Sequence, residues 1–172
     1  MLGFFWWIKM SNEIFEDDKV VFLDIDGVLN SALALYAGDY TGTKWQINTM
    51  ILKAYKKFAD KHNIKTVISS TWRERALGDI EKMEQIFLDE SGISLKVYGL
   101  TPVLNAIRGY EIDAIVKSKN IKNYAIIDDT DKFLSHQMDK LVKTDILTGM
   151  TLYDLKKLAT VLNITDLELK FI

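Results

Sequence analysis

Residues 19–30, KVVFLDIDGVLN, decide the fold of this chain. Residues 20–23 are continuously apolar, as in a strand that is buried on both faces of a parallel sheet. Asp24 and Asp26 follow this run, and Gly27 lets the backbone turn tightly behind them. Because residues i and i+2 of an extended backbone face the same side, both carboxylates are able to address one ligand. The segment therefore predicts a buried strand over 20–24 that ends in a pair of acidic side chains.

Outside this stretch, short β-rich runs alternate with helical periodicity, which is typical of a parallel sheet wrapped by helices. Further strands are predicted over 64–69, 95–98, 124–128 and 141–144, and helices over 49–61, 79–90, 110–117 and from 151 onward. Asn48 is a suitable N-cap for the first helix, and Gly92 ends the second. Thr151 and Asp154 form a variant of the capping box at the start of the last helix. We expect an α/β fold with a central parallel sheet of about five strands flanked by helices.

The length and order of these segments indicate one domain. A chain of 172 residues has the size of a single domain, and neither an internal repeat nor a Pro- or Ser-rich linker divides it. We expect an N-terminal extension over 1–18 and the domain over 19–172. Met10 opens a polar segment. Translation that starts at Met10 would leave residues 1–9 as an upstream segment.

Composition excludes several classes of protein. Apolar residues make up 48% of the chain, and a single Pro is present, so the chain is neither disordered nor collagenous. A net charge of −2 argues against strong nonspecific binding to nucleic acid or to an acidic membrane. The apolar run 2–8 is too short to cross a bilayer. The absence of cysteine excludes disulfides and thiolate chemistry and suits a cytoplasmic protein.

Polar clusters follow three of the predicted strands. Ligands of doubly wound sheets bind at the carboxyl ends of the strands, where this chain carries Asp24, Asp26, the hydroxyl run 69–71, and Asp128 with Asp129. Either acidic pair alone is commonly an ordinary turn or helix cap. Four carboxylates at one edge repel each other unless a cation relieves the repulsion, and oxygen ligands of this kind favour Mg²⁺. The combination therefore predicts a magnesium site.

These segments resemble the sequence motifs of a known superfamily. LDIDGVLN, residues 23–30, looks like the first motif of the haloacid dehalogenase-like (HAD) hydrolases, VISS, residues 67–70, like the second, and AIIDD, residues 125–129, like the acidic fourth. Together with SSTWR, RGYEI and GMT, which end at Arg73, Ile112 and Thr151, they are closest to small HAD phosphatase domains associated with nucleic-acid repair, of the polynucleotide 3′-phosphatase type. The resemblance spans roughly residues 19–163 and implies a Rossmann-like HAD fold.

The resemblance also implies a reaction and its carboxylates. Asp24 would be the nucleophile that attacks phosphorus and forms an aspartyl-phosphate. Asp26 would protonate the leaving alkoxide and then activate the water that hydrolyses the intermediate. Mg²⁺ would be held by Asp24, by the main-chain carbonyl of Asp26, and by Asp129 with Asp128 beside it.

The remaining motif residues would contact the phosphoryl group or the substrate. Ser70 would hold a phosphoryl oxygen, with Ser69 as the alternative because the end of the strand is uncertain by one residue. Arg108 is the candidate for the basic third motif, in competition with Arg73 and Lys117. Thr71, Arg73 and Trp72 are candidate substrate contacts. Trp72 is either a platform for stacking a base or a core residue.

The spacing of these motifs leaves no room for a large cap domain. Residues 27–69 separate the first two motifs and already contain a helix and a strand, so that residues 30–45 are able to form a flap only. An open site suits a phosphate on a large substrate such as a polynucleotide end or a protein. It equally admits a nucleotide, with Tyr36, Tyr40 and Trp45 as base contacts.

We therefore expect a Mg²⁺-dependent phosphomonoester phosphatase that acts on a nucleotide or on a nucleic-acid terminal phosphate. Two alternatives stay open. One is a non-catalytic phosphate-binding or regulatory module on the same fold. The other is a receiver-like signalling domain, because receivers also cluster Asp residues at strand ends. The position of the best nucleophile after the first strand argues against a receiver.

Overall fold

The computed structural model of the protein describes residues 14–37, 47–104 and 107–165. Its centre is a parallel sheet of five strands in the order β3-β2-β1-β4-β5. The strands are β1 (Lys19–Leu23), β2 (Ile64–Ile68), β3 (Gly99–Leu100), β4 (Asn123–Asp128) and β5 (Leu141–Lys143). The helices are α1 (Ala32–Ala37), α2 (Thr49–Lys61), α3 (Trp72–Arg75), α4 (Ile80–Ser91), α5 (Arg108–Lys119) and α6 (Leu152–Val161), with a 3₁₀ helix over Ser135–Lys140. The expected α/β fold with about five parallel strands is confirmed.

The two faces of the sheet are covered by different helices. Side chains of β1 alternate between the faces, as the twofold repeat of a strand requires: Val21 and Leu23 join one core cluster, and Val20 and Phe22 join the other. Buried residues of α2, α4 and α6 pack in the first cluster, and those of α5 pack in the second. Ile14, which precedes β1, is buried in the second cluster.

The register of the strands aligns their carboxyl ends. Leu23 is paired with Ile68 of β2 and with Ile127 of β4. The residues that follow these positions therefore lie at one edge of the sheet. The amide of Asp24 donates to the carbonyl of Ile127 at 3.0 Å, and the amide of Ser69 donates to that of Leu23 at 2.8 Å.

The predicted helix caps are confirmed. The side chain of Asn48 accepts hydrogen bonds from two amides of the first turn of α2. Gly92 follows α4 in the left-handed conformation, with φ of +71°. Thr151 and Asp154 form the reciprocal bonds of a capping box at the start of α6. The observed ends of α2 and α4 lie within one residue of the predicted ends.

Four segments differ from the prediction. The strand expected over 95–98 was wrong in position, because the residues that pair with β2 are Gly99–Leu100, preceded by one hydrogen bond from the amide of Tyr98 to the carbonyl of Thr66 at 2.8 Å. Leu95 and Val97 are buried core residues outside the ladder. Helices α1 and α3 were not predicted, since four to six residues are too few to show a 3.6-residue period. Helix α5 begins at Arg108 rather than at residue 110 and ends at Lys119.

Within the described residues, the connections contain no separate cap domain. The segment between β1 and β2 contains α1 and α2, and the segment between β2 and α5 contains α3, α4 and β3. In the same part of the chain, no helix is both long and apolar enough to span a membrane. Tyr36 lies on α1 and is exposed. The other expected base contacts, Tyr40 and Trp45, and the segment 1–9 lie outside the described residues.

Candidate active site

Three carboxylates meet at the carboxyl edge of the sheet. One oxygen from each of Asp24, Asp128 and Asp129 lies within 4.8 Å of the other two. Asp24 follows β1, and Asp128 and Asp129 stand at the end of β4, so the adjacent central strands bring them together. Asp24 and Asp128 are buried, and Asp129 is half-buried. The predicted convergence of the two acidic pairs is therefore present for these three side chains.

Arg108 is the cation that faces this cluster. It is the first residue of α5, and its Nη1 lies 2.9 Å from Oδ2 of Asp24 and also contacts Oδ2 of Asp128. The other oxygen of Asp128 accepts hydrogen bonds from the amide and the hydroxyl of Thr130, both at 2.9 Å. One guanidinium thus partly offsets two buried carboxylates, and its own side chain remains partly open to solvent.

The electrostatics of the cluster favour the addition of a cation. Burial raises the pKa of Asp24 to about 7; the charge of Asp128 also raises it, and Arg108 only partly opposes the shift. Burial and Asp128 likewise raise the pKa of Asp129. Oδ1 of Asp24 is buried and has no hydrogen-bond partner. A buried carboxylate oxygen without a partner, next to two further carboxylates, suits a hard divalent cation such as Mg²⁺.

Gly27 is the residue that lets the acidic loops approach each other. Its φ is +72°, and a Cβ atom at this position would lie 2.7 Å from Cγ of Asp129. A larger residue would therefore be strained in the backbone and would displace Asp129. Thr144 joins the same loops, because its hydroxyl donates to the carbonyl of Gly27 at 2.8 Å and its amide donates to the carbonyl of Asp128 at 2.9 Å.

Asp26 is not one of the three clustered carboxylates, although its charge, besides burial and Asp128, also raises the pKa of Asp129. The indole Nε1 of Trp72 lies 3.0 Å from both of its carboxylate oxygens, and Nδ2 of Asn30 donates to Oδ1 at 2.8 Å. Oδ1 of Asn30 accepts from the amide of Gly27 at 2.8 Å. The side chain of Asp26 is thus fixed by hydrogen bonds. Although Asp26 is close to Asp24 in sequence, its partners differ from those of Asp24. A metal contact through its main-chain carbonyl stays a prediction.

The hydroxyl cluster after β2 divides into three environments. Ser70 is buried, and its hydroxyl lowers the pKa of the nearby Asp24 carboxyl, against the larger effect of burial. Ser69 is also buried, and its hydroxyl has no partner. Thr71 is exposed. The effect of Ser70 on the pKa of Asp24 favours Ser70 over Ser69 as the residue near the reacting group, and the phosphoryl contact itself stays a prediction.

Arg73 and Trp72 are anchored inside the protein. Nη2 of Arg73 pairs with Oε2 of Glu111 at 2.6 Å, and Nη1 donates to the carbonyl of Ser70 at 2.7 Å. Trp72 is buried, and the guanidinium of Arg75 lies 4.4 Å from the centre of its ring. Trp72 is therefore a buried residue rather than an exposed platform for stacking a base, and its N–H is directed at Asp26.

Lys117, the other competitor for the basic third motif, lies elsewhere. It stands in the last turn of α5 and pairs with Asp113 at 2.6 Å, whereas Arg108 stands in the first turn beside the carboxylates. Of the three candidates, Arg108 alone contacts Asp24 directly in the described ion pairs.

Several residues that support the site were not predicted from sequence. They are Asn30, Thr130, Thr144 and Glu111. Asn30 lies within the first motif and Glu111 within RGYEI. Their positions next to charged motif residues could have marked both as supports of the site. Thr144 gave no signal, because its partner Gly27 is distant in the chain.

The comparison with known families assigns the chain. Residues 20–155 match the family model described as the HAD domain in Swiss Army Knife RNA repair proteins. The chain belongs to this family. The HAD match begins within β1 and ends within α6, and so includes every strand end that carries the site. No curated protein sequence matches the chain. Membership confirms a small capless HAD domain associated with RNA repair, which indicates a phosphatase-type role.

Proposed function

We propose that this HAD domain is a Mg²⁺-dependent phosphomonoester phosphatase that works through an aspartyl-phosphate on Asp24. The observation that carries the proposal is the meeting of Asp24, Asp128 and Asp129 within 4.8 Å, with one buried oxygen of Asp24 unpartnered. We propose a nucleotide or the terminal phosphate of a nucleic acid as the substrate. The family's association with RNA repair and the absence of a cap among the described residues support this choice.

The residues at the sheet edge fit a magnesium ion. Asp24 and Asp129, with Asp128 beside them, would hold it, and the main-chain carbonyl of Asp26 would complete the protein ligands. When bound, the ion supplies positive charge that offsets the carboxylates and the phosphoryl oxygens. Arg108 adds a second positive charge on the side of Asp24 and Asp128.

Asp24 and Asp26 divide the covalent steps between them. A carboxylate oxygen of Asp24 attacks phosphorus and the bond from phosphorus to the ester oxygen breaks, while Asp26 gives its proton to that leaving oxygen. Asp26, now ionised, takes a proton from water as the water oxygen attacks phosphorus. The bond between Asp24 and phosphorus then breaks, which releases inorganic phosphate and restores both side chains.

Neighbouring residues position the phosphoryl group and the two acids. Arg108 pairs with Asp24, and the hydroxyl of Ser70 lies near that carboxyl, so in this proposal each binds an oxygen of a phosphoryl group on Asp24. Ser69 offers a second buried hydroxyl. Trp72 and Asn30 fix the carboxyl of Asp26 between them.

A substrate panel tests the proposed function. We expect the protein with Mg²⁺ to release phosphate from an aryl phosphate and, with higher kcat/KM, from mononucleotides or from oligonucleotides that carry a 3′- or 5′-phosphate. A chelator should abolish the release, and added Mg²⁺ should restore it. Binding of Mg²⁺ without turnover of any member of the panel would instead identify a non-catalytic phosphate-binding module.

The hydrogen bond from Trp72 to Asp26 gives a second expectation. Trp72→Phe keeps an aromatic ring but removes the N–H that holds Asp26, so proton transfer to the leaving oxygen should suffer. We expect kcat to fall about tenfold or more for alkyl phosphates, whose leaving groups need a proton, and to fall much less for an aryl phosphate with an acidic phenol.

Arg75→Ala is the matched control for this substitution. It removes the guanidinium over the ring of Trp72 and leaves the N–H bond to Asp26 in place. Its ratio of alkyl to aryl phosphate hydrolysis should equal that of the unsubstituted protein. An equal loss on both substrates in Trp72→Phe would mean that Trp72 supports only the fold.

A further inference from the structure

A groove lies beside the carboxylate cluster. Its volume is about 680 Å³, within the range of about 300–1,000 Å³ that is common for small-molecule sites. The loop after β2, the start of α5 and the loop after β4 form its walls. The lining residues are Thr71, Arg73, Ile107, Arg108, Glu111, Thr130 and Lys132. Because Arg108 lines the groove and also pairs with Asp24, the groove borders the proposed reaction centre.

The cationic side chains that line the groove differ in their ion pairing. Arg73 is paired with Glu111, and Arg108 is paired with Asp24 and Asp128, whereas Lys132 is exposed and absent from the ion pairs of the described residues. Nε of Arg73 is buried and has no hydrogen-bond partner. The groove therefore offers positive charge, with Lys132 outside the described ion pairs, to an anionic ligand beyond the carboxylate cluster.

One apolar side chain lines the same groove. Ile107, which precedes α5, is 43% exposed although it lies in the lining. An exposed apolar side chain in a groove that also holds an exposed lysine suits a sugar and base joined to a phosphate. A free phosphate ion would leave Ile107 without a partner.

We propose that the groove holds the nucleotide adjacent to the terminal phosphate of a single-stranded polynucleotide, with Lys132 binding the phosphodiester that joins it to the next nucleotide. The proposal rests on the proposed phosphatase activity, because that activity places the terminal phosphate at Asp24. Lys132 is then a specificity-determining residue, which separates polynucleotide ends from mononucleotides, and it takes no part in the covalent steps.

Lys132→Ala tests this assignment against Lys61→Ala. Lys61 is an exposed lysine at the last position of α2, before β2 begins, and thus belongs to the opposite edge of the sheet. Each variant is assayed with a phosphate-terminated oligonucleotide, with the matching mononucleotide and with an aryl phosphate. Both 3′- and 5′-phosphorylated forms are used. Lys132→Arg, which keeps the charge, is the rescue variant.

For Lys132→Ala we expect a loss of about fivefold in kcat/KM on the oligonucleotide and less than about twofold on the two smaller substrates. The slope of log kcat/KM against log salt for the oligonucleotide should become shallower by about 0.7, which corresponds to one lost phosphate contact on a single strand. Lys61→Ala should match the unsubstituted protein, and Lys132→Arg should restore most of the loss.

An equal loss on all three substrates, or no loss on the oligonucleotide, would overturn the assignment of Lys132. So would a phosphopeptide that is preferred to the oligonucleotide and depends equally on Lys132. Failure of the phosphatase proposal looks different, because the unsubstituted protein would then hydrolyse none of the substrates. Fluorescence anisotropy with a labelled, phosphate-terminated oligonucleotide needs no turnover and would still decide whether Lys132 contributes to binding.

Discussion

Asp24→Asn should lower kcat for an aryl phosphate by about four orders of magnitude or more at saturating Mg²⁺, while the protein remains folded. The substitution replaces the nucleophilic carboxylate oxygen by an amide of similar size, so the loss is chemical rather than structural. Asp131→Asn is the matched control. Asp131 is an exposed acid beyond β4 that pairs with Lys143, and its substitution should leave kcat unchanged. Retained hydrolysis in Asp24→Asn would remove Asp24 from the reaction.

The same substitution should stabilise the protein in the absence of divalent cations. In the folded protein, burial raises the pKa of Asp24 from 3.8 to about 7. Between these values the folded state binds more protons than the unfolded state, so stability falls as the pH rises through this range. The penalty is at most about 4 kcal/mol above pH 7. An asparagine side chain does not ionise and avoids it.

Thermal unfolding in the presence of a chelator measures this effect. At pH 8 we expect Asp24→Asn to unfold several degrees above the unsubstituted protein, since 1 kcal/mol corresponds to about 2–4 °C for a chain of this size. At pH 5 Asp24 is protonated in the folded protein but still largely ionised in the unfolded chain, so the difference should fall to less than half of its value at pH 8. Mg²⁺ should raise the unfolding temperature of the unsubstituted protein more at pH 8 than at pH 5. If Asp24→Asn were less stable than the unsubstituted protein at pH 8, the result would contradict the expectation that burial of the ionised Asp24 carboxylate destabilises the fold.

The parts of the fold that follow local rules could be predicted from sequence. The apolar run before Asp24 predicted the central strand, because a strand buried on both faces needs no alternation. The caps at Asn48, Gly92 and Thr151 predicted helix ends, because each cap satisfies backbone groups within one turn. The convergence of Asp24 with Asp128 and Asp129 followed from the order of parallel strands and the rule that ligands bind at their carboxyl ends.

What depended on contacts between distant segments could not be predicted. Trp72 was predicted to be either a stacking platform or a core residue, and neither alternative indicated that its indole N–H reaches Asp26 across the site. The sequence likewise did not indicate that Arg73 pairs with Glu111 in the protein interior, a contact that joins α3 to α5. Nothing in the sequence around Thr144 indicated its bond to Gly27. These contacts depend on the relative placement of whole elements, which a pattern within one segment does not encode.

The segment before α5 shows a second kind of error. Leu95 and Val97 alternate as in a strand, and both are buried, yet they pack on the core without joining the sheet. Only Gly99–Leu100 pairs with Val67 and Ile68. Alternating hydrophobicity reports which side chains are buried, and it does not report whether the backbone finds a partner strand. Edge positions such as this one are therefore the least certain part of a predicted sheet.

Asp26→Asn should uncouple the two covalent steps. With an aryl phosphate, the phenol leaves without help from an acid, so Asp24 still becomes phosphorylated. Hydrolysis of the intermediate needs Asp26 to take a proton from water, and we expect this step to slow by about 10²–10⁴-fold. The variant should therefore release one phenol per protein molecule in a rapid burst, followed by slow turnover. The unsubstituted protein should show no such accumulation.

Mapping the trapped phosphoryl group tests the central claim most directly. Asp26→Asn is mixed with Mg²⁺ and the aryl phosphate, quenched in acid after the burst, digested and analysed by mass spectrometry. We predict one phosphoryl group on the peptide that contains Asp24 and none on the peptide that contains Asp128 and Asp129. Phosphorylation of Asp128 or Asp129, as in a receiver domain, or turnover with no burst and no phosphorylated protein, would contradict the account.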